Sequence, residues 1–260
     1  MSVAPPSRRI ILPGIHNLRD LGGHAHPGGE LAWGRFWRSD SLHELDDASA
    51  DSLIERGLVT IIDLREPDEA AAQPNPLAGR LPYHSVPIFA GLDLSLPAII
   101  DAEDPLFALY CAALADSAVP FATVMRTMAA APAGTILFHC TAGKDRTGLV
   151  AALLLKLAGV ADADIVADYA ETARHIGPVL AALESRARAR GADVARLSRY
   201  WGSDGATMQL LLDHLETRHG GIIPYLSAAG LTAAELQALQ LRLGRPAIPA
   251  SSGMPVPLTH

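Results

Sequence analysis

The order of apolar and polar positions along the chain changes from alternating strands and helices to helices alone. Leu58–Asp63 is β-branched and almost wholly apolar, which predicts a strand buried on both faces. Residues 134–138 and 83–88 predict two more strands. From residue 161 to residue 243 the pattern is almost purely helical. This order predicts an α/β fold, with a parallel sheet flanked by helices and a helical elaboration towards the C-terminus.

Local signals mark several of the helices. Residues 104–131 predict helices that are broken near Pro120, and residues 147–157 predict a helix directly after a short loop. Thr232 and Glu235 have the spacing of a capping box, in which each side chain bonds the backbone N–H of the other at the start of a helix. We therefore expect the last helix to begin there.

The length and composition predict one domain. The chain has 260 residues, 49% of them hydrophobic, which is enough to bury one sizeable core. We predict a single domain over residues 1–244 with a helical insertion at about 161–203, which either packs simply against the core or forms a lid over a site. The Pro- and Ser-rich residues 245–260 predict a disordered tail.

Charge and hydropathy argue against several classes of protein. The formal net charge of −7 argues against a general nucleic-acid binder and against a protein held on anionic membranes. No apolar run reaches the ~18 residues of a membrane span, and residues 1–15 lack the apolar run of a signal peptide. We expect a cytoplasmic protein, with secretion without a signal left open. His24 and His26 have no third ligand nearby, so no metal is expected.

The chemically informative segment is residues 139–148, His-Cys-Thr-Ala-Gly-Lys-Asp-Arg-Thr-Gly, between an apolar strand and an apolar helix. In a parallel sheet, ligands bind at the carboxyl ends of the strands, so we expect Cys140 at that edge. A loop of this length can wrap a tetrahedral dianion with its backbone N–H groups, and the next helix adds its N-terminus. This positive environment favours the thiolate of Cys140.

The remaining positions of the loop suit phosphate binding. The planar guanidinium of Arg146 can grip two phosphate oxygens, and Gly143 permits a sharp backbone turn. The hydroxyl of Thr147 can bond the sulfur as it leaves a phosphocysteine, and His139 can fix the loop by hydrogen bonding. The predicted substrate-binding residues are Thr141, Ala142, Gly143, Lys144, Thr147 and Asp63.

This loop resembles the phosphate loop of the cysteine-dependent phosphatases, and is most similar to that of the atypical bacterial tyrosine phosphatases. The resemblance extends over roughly residues 10–243. The other stretches that carry it are residues 17–23 (Asn-Leu-Arg-Asp-Leu-Gly-Gly), 38–42 (Arg-Ser-Asp-Ser-Leu), 61–65 (Ile-Ile-Asp-Leu-Arg), 208–214, 220–221 and 225–226. It implies a cysteine-phosphatase fold in which C-terminal helices cover the site, and a reaction that needs no cofactor.

The resemblance also implies a two-step reaction in which Cys140 attacks phosphorus, an acid protonates the leaving oxygen, and water hydrolyses the phosphocysteine. The chain has no Trp-Pro-Asp sequence, which carries the acid in the larger tyrosine phosphatase family. In the atypical branch the acid is the Asp within the loop, here Asp145. A bound dianion beside it would favour its protonated form. Asp63, at the end of a predicted strand, is the rival acid, and Asp20 and Asp40 are weaker rivals.

Phosphotyrosine in proteins is the leading substrate. Lys144, beside the phosphate-binding Arg, repeats a pattern of phosphatases that act on inositol lipids, so a phosphoinositide is the alternative. A sulfur-transfer or arsenate-reducing enzyme would need Cys111 as a resolving partner, and the helical apolar setting of Cys111 argues against that. A phosphate-binding module without turnover is a third alternative, against which the intact Cys, Arg and Thr of the loop argue.

A purely structural role is the alternative for several of these residues. Asp145 could shape the loop, Lys144 could be a solvated surface lysine, and Asp63 could pair with Arg65. Cys111 is expected in the core. The same structural alternative applies to Asn17, Arg19, Asp20, Arg38, Ser39 and Asp40.

Overall fold

The computed structural model of the chain describes residues 7–89 and 97–244. The strands in these ranges are β1 (Arg19–Asp20), β2 (Ala25–His26), β3 (Gly29–Glu30), β4 (Phe36–Ser39), β5 (Leu58–Asp63), β6 (Tyr83–Ser85) and β7 (Thr135–His139). The helices are α1 (Asp47–Glu55), α2 (Pro67–Ala72), α3 (Pro97–Ile100), α4 (Pro105–Asp116), α5 (Ala118–Ala130), α6 (Asp145–Ala158), α7 (Asp162–Glu171), α8 (Gly177–Ala189), α9 (Val194–Ser198), α10 (Gly205–His219), α11 (Ile222–Ala228) and α12 (Ala233–Arg242).

Five of the strands form one sheet in the order β1-β4-β7-β5-β6, and β2 pairs with β3 as a separate hairpin. The sheet is parallel from β4 to β6, and β1 runs antiparallel to β4 at one edge. Ser39 and Asp63 both pair in register with His139, so β4, β5 and β7 end at the same level. The predicted α/β fold with a parallel sheet flanked by helices is confirmed.

The strand bounds differ from the predicted ones mainly at the sheet edge. The strand predicted over residues 83–88 ends at Ser85. Pro87 explains the difference, because it has no N–H with which to continue a regular ladder. The other two predicted strands are confirmed, with the one at 134–138 shifted by one residue in β7.

Two apolar clusters pack against the two faces of the sheet. Because side chains alternate between faces along a strand, Ile136 and Phe138 of β7 enter the larger cluster and Leu137 enters the smaller one. Helix α6 is buried along nearly its whole length and belongs to the larger cluster, together with residues of α4, α5 and α10. This burial fixes the N-terminus of α6 directly behind the loop that follows β7.

The helix break predicted near Pro120 lies at Ser117, between α4 and α5. Pro120 falls in the first turn of α5, where an N–H has no intrahelical partner to lose. The two helices bend by 73° at the break. Within the described ranges no single helix is long and apolar enough to cross a membrane. The bent pair of α4 and α5 reaches that length and composition only when the two helices are taken together. The cytoplasmic location stays a prediction.

The helical insertion predicted at about residues 161–203 consists of two different parts. Helix α7 packs into the core, where Ile165 and Tyr169 are buried. Helices α8 and α9 contribute no buried residue. Residues 177–203, called the covering segment below, are therefore the part that could act as a lid.

The predicted disordered tail, residues 245–260, lies outside the described residues. The predicted capping box is confirmed at the start of α12.

Candidate active site

The loop that connects β7 to α6 begins with Cys140 at the carboxyl edge of the sheet. Cys140 is buried, with 2% of its surface exposed. Gly143 has a φ of +66°, and a Cβ there would lie 2.5 Å from the backbone oxygen of Ser39. Only glycine therefore lets the loop turn this close to the end of β4.

The carbonyl groups of the loop are turned away from the cavity and bonded from behind. Asn17 Nδ2 donates to the oxygens of Ala142 and Gly143 at 3.1 and 3.0 Å, and Arg38 Nη2 donates to the oxygen of Gly143 at 2.9 Å. In a trans peptide the N–H points opposite to its C=O. The N–H groups of Gly143 and Lys144 therefore face the other side of the loop, as an anion-binding loop requires.

A buried ion cluster supports these contacts from behind. Asp168 of α7 accepts from Arg19 Nε at 2.9 Å and from Arg38 Nη1 at 2.6 Å, and Arg19 Nη1 donates to Asn17 Oδ1 at 2.5 Å. Burial raises the pKa of Asp168, but the two guanidinium groups outweigh it and hold that pKa below its usual range. Burial and the nearby Arg19 lower the pKa of Arg38 to about 10. These contacts thus support a purely structural role for Asn17, Arg19 and Arg38.

Arg146 extends from the first turn of α6 and pairs with Glu69 of α2. Its Nη1 and Nη2 atoms donate to Glu69 Oε2 and Oε1 at 2.5 and 2.9 Å, and Nη2 lies 3.3 Å from Thr141 Oγ1. Burial raises the pKa of Glu69, but the bond to Arg146 outweighs it, and the pKa falls to about 2. No described residue accepts from Nε of Arg146, so this N–H remains for a substrate oxygen.

Lys144 and Asp145 form a second polar group at the start of α6. Lys144 Nζ donates to Asp145 Oδ1 at 2.5 Å and to the backbone oxygens of Tyr200 and Gly202 at 2.8 Å each. Tyr110 donates its hydroxyl to the same Oδ1 at 2.6 Å. Lys144 is 2% exposed, so the solvated-surface alternative for it is wrong. Its ammonium group ties the loop to the end of the covering segment.

Asp63 lies behind the loop rather than in the cavity. It is fully buried and accepts from Arg65 Nη2 at 2.6 Å and from the hydroxyl of Tyr83 at 2.5 Å. Burial raises the pKa of Asp63, but His139 and Arg65 outweigh it, and the pKa falls to about 2. These contacts support the ion-pair alternative over the predicted roles in substrate binding and acid catalysis, because Arg65 bonds both carboxylate oxygens and the buried side chain has no path to a substrate.

The other rival acids also have structural partners. Asp20 accepts from the backbone N–H of Gly22 and Gly34, both at 2.7 Å. Asp40 accepts from the N–H of Asn17 at 2.9 Å. Both carboxylates therefore hold loops in place rather than line the cavity of the phosphate loop.

Two further predictions about the loop have different outcomes. His139 Nδ1 lies 3.2 Å from the oxygen of Cys140, as expected for a residue that fixes the loop. Thr147 is fully buried, and in the described part of the chain its hydroxyl has no hydrogen-bond partner, Cys140 included. The expected bond from Thr147 to the sulfur stays a prediction.

The loop forms the floor of a cavity of about 560 Å³. The covering segment supplies much of the opposite wall, which is largely apolar. The lining residues are Glu69, Phe89, Leu109, Cys140, Thr141, Ala142, Lys144, Asp145, Arg146, Leu180, Leu183, Ala192, Asp193, Arg196, Leu197, Tyr200 and Trp201. The cavity thus brings together the Cys, Asp and Arg of the loop under an apolar cover.

Comparison with known proteins identifies the family. Residues 10–245 match the tyrosine phosphatase family. The chain belongs to this family. A tyrosine-protein phosphatase of Nostoc commune is 36% identical, over 81% of this chain and 74% of that protein. The triple specificity protein phosphatase PtpB of Mycobacterium tuberculosis is 31% identical, over 61% of this chain and 67% of that protein.

A solved structure offers a weaker similarity. The crystal structure of TpbA from P. aeruginosa is 19% identical and covers 75% of this chain and 98% of that one, with a TM-score of 0.37, which is too low to bear on the site. The match to the family and the similarity to the Nostoc commune phosphatase show that this chain is a tyrosine-type phosphatase. The resemblance seen in the sequence is confirmed.

The second cysteine, Cys111, lies outside the cavity of the phosphate loop. Cys111 is half-buried rather than part of the core, because α4 turns it towards a surface cavity that Phe107 and His214 also line. Burial and the nearby Asp104 raise the pKa of Cys111 to about 11, so its thiol is a poor nucleophile. Among the described residues no group of three or more His, Cys, Asp or Glu side chains is arranged to hold a metal.

The partners that sequence patterns missed are Glu69, Tyr110 and Asp168. Glu69 is one of two acidic residues in the first turn of a short helix, and Tyr110 is one of two aromatic residues in an apolar helix. Of the three, only Asp168 could have been found from the sequence, because it lies on the same face of α7 as the apolar positions that are buried. A charge at such a position predicts a buried partner.

Proposed function

We propose that this phosphatase hydrolyses phosphate monoesters, with phosphotyrosine in proteins as its main substrate, through a phosphocysteine at Cys140. The observation that supports this best is the phosphate loop, whose carbonyl groups are bonded from behind while Cys140 and Arg146 line the cavity. Inward N–H groups and the N-terminus of α6 complement a phosphate dianion and also the thiolate that attacks it.

In the first step the thiolate of Cys140 attacks phosphorus, the S–P bond forms, and the bond to the ester oxygen breaks. Asp145 gives its proton to that oxygen, so the alcohol leaves neutral. The Nε edge of Arg146 binds equatorial oxygens of the phosphoryl group, on which the charge of the transition state lies. In the second step Asp145, now ionised, takes a proton from water as the water oxygen attacks phosphorus. The S–P bond breaks, and phosphate and the thiolate are released.

The shape of the cavity supports an aromatic phosphate. Leu109, Leu180 and Leu197 provide apolar surface above the loop, and Trp201 adds an aromatic wall. Burial of a phenyl ring there contributes free energy that a phosphoserine side chain cannot. Lys144 gives no support to a phosphoinositide, because its ammonium is already bonded to Asp145 and to two backbone oxygens. We expect a phosphotyrosine peptide to be hydrolysed faster than either a phosphoserine peptide or a soluble phosphoinositide.

The decisive experiment compares phosphate release from para-nitrophenyl phosphate by the wild type and by Cys140→Ser, in chelator, from roughly pH 5 to 8. We expect turnover that needs no added metal and that disappears in the variant, because a neutral hydroxyl cannot replace the thiolate. Cys111→Ser is the matched control and should retain full activity. Turnover that survives in Cys140→Ser would refute the phosphocysteine mechanism, and a folded, reduced wild type without turnover would favour a phosphate-binding module.

A further inference from the structure

A chain of buried hydroxyl groups ends on the carboxylate of Asp145. Tyr110 of α4 and Tyr169 of α7 are 0% and 1% exposed, and their hydroxyl oxygens lie 2.7 Å apart. The Tyr110 hydroxyl also lies 2.6 Å from Asp145 Oδ1. The two rings meet edge to face, with their centroids 6.2 Å apart. The carboxylate is thus bonded directly to α4 and, through the Tyr110 hydroxyl, is connected to α7, which comes from a distant part of the chain.

The direction of these hydrogen bonds follows from proton counting. A tyrosine hydroxyl has one proton, and a carboxylate oxygen only accepts. Tyr110 therefore donates to Asp145, and Tyr169 donates to Tyr110. Burial and the nearby Asp145 raise the pKa of Tyr110 well above its usual value, so its proton stays in place over the neutral range.

The ring of Tyr169 packs against the helix that carries Asp145. A Cβ on Gly148, one turn along α6, would lie 3.1 Å from the ring of Tyr169. The absence of a side chain at Gly148 lets this ring pack directly on the backbone of the first turn. The hydroxyl chain therefore has a fixed position relative to Asp145, as a group that orients a carboxylate requires.

We propose that Tyr110, supported by Tyr169, is a positioning residue that holds Asp145 Oδ1, so that the proton for the leaving group is carried on Oδ2. This inference rests on the proposed role of Asp145 as the acid. Lys144 Nζ and Tyr110 together use both lone pairs of Oδ1. Among the described residues none donates to Oδ2, so a proton bound by this carboxyl group has one oxygen open to it.

The test compares Tyr110→Phe with the wild type on para-nitrophenyl phosphate and on an alkyl phosphate. A nitrophenolate departs with little protonation, whereas an alkoxide needs the acid. We expect kcat/KM on the alkyl phosphate to fall on the order of 10-fold, a part of what general acid catalysis contributes. On para-nitrophenyl phosphate kcat/KM should change by less than about 2-fold, because kcat/KM reports formation of the phosphocysteine and not the second step, in which Asp145 acts as a base on either substrate. Tyr169→Phe should show the same selectivity with a smaller loss.

A matched control and a double variant separate positioning from a structural role. Tyr225 is another buried tyrosine, and its hydroxyl donates to the oxygen of Leu114 at 2.9 Å. Tyr225→Phe loses one buried hydrogen bond and should leave both rates unchanged. In an Asp145→Asn background, Tyr110→Phe should cause no further loss on the alkyl phosphate, because Tyr110 acts through Asp145.

The outcomes distinguish the inference from the function on which it rests. A Tyr110→Phe variant whose kcat/KM falls equally on both substrates, or whose loss adds to that of Asp145→Asn, would overturn the positioning role. A Tyr110→Phe variant with the kcat/KM of the wild type on the alkyl phosphate would overturn it too. Equal losses of kcat/KM on both substrates for Asp145→Asn itself would instead remove Asp145 as the acid, and the inference with it.

Discussion

The pair of Arg146 and Glu69 shows how one side chain can prepare another for a ligand. A guanidinium group has two edges that can each bind two oxygens. Glu69 takes the edge formed by the two terminal nitrogens, and Nε has no acceptor among the described residues. Phosphate and Glu69 can therefore bind Arg146 at the same time. Because the pKa of Glu69 is about 2, the pair is fully ionised at every pH at which the enzyme is assayed.

We expect Glu69→Gln to lower kcat/KM for para-nitrophenyl phosphate on the order of 10²-fold, because a misplaced Arg146 no longer meets the phosphoryl oxygens. Steady-state kinetics at neutral pH measure this. Asp68→Asn is the matched control, since it removes one exposed negative charge from the same helix, and it should have little effect. An unchanged or higher kcat/KM in Glu69→Gln would mean that Glu69 competes with phosphate instead.

At the scale of elements, the covering segment differs from the long helices that pack around the sheet. Helices α8 and α9 bury no residue, whereas α10 buries Met208, Leu211 and Leu215. The end of the segment is bonded to the loop through Lys144, which contacts the oxygens of Tyr200 and Gly202. A segment with few buried contacts opens at a low free-energy cost. We therefore expect the covering segment to open more readily than the loop beneath it.

We expect the amides of α8 to exchange with deuterium on the order of 10-fold faster or more than those of α10, because opening α8 exposes little apolar surface. Hydrogen-exchange mass spectrometry of the whole chain measures both helices in one sample, so α10 serves as the internal control. Equal protection of the two helices would show that the covering segment is part of the core and not a lid.

Across the whole molecule, Asp168 connects the sheet, the helices and the phosphate loop. It binds Arg19 of β1 and Arg38 of β4, and Arg38 continues to the oxygen of Gly143. Both guanidinium groups are buried, so each needs a charged partner there. Loss of Asp168 would leave two positive charges buried together.

We expect Asp168→Asn to lower the free energy of unfolding at pH 7 by about 3–5 kcal/mol, the cost of breaking a buried ion pair. The pKa of Asp168 is lower in the folded than in the unfolded chain. Its contribution to stability is therefore fully present above about pH 4, the range of an unfolded Asp, and is lost as the pH falls further.

Urea unfolding at several pH values measures both the loss of stability in Asp168→Asn and its dependence on pH. The stability of the wild type should decrease more steeply below about pH 4 than that of Asp168→Asn. Asp51→Asn, which removes an exposed partner of Arg80, is the control and should change little. A variant as stable as the wild type at pH 7 would contradict the structural role of the cluster.

The parallel strands, the helix after the loop and the loop chemistry were predictable from the sequence, because each depends on neighbouring residues. An apolar β-branched run forms a strand wherever it is buried on both faces. Cys140, Gly143 and Arg146 lie within one short loop, so their proximity follows from the sequence alone. The family resemblance rested on the same local pattern and was confirmed by the family match.

Only the tertiary structure determined which residues meet the loop. Asp63 lies at the predicted edge of the sheet, yet Arg65 and Tyr83 hold it behind the loop rather than in the cavity. Glu69, Tyr110 and Asp168 reach the site from three separate helices. Local patterns do not record such contacts, because they arise when the core packs and each buried charge or hydroxyl must find a partner.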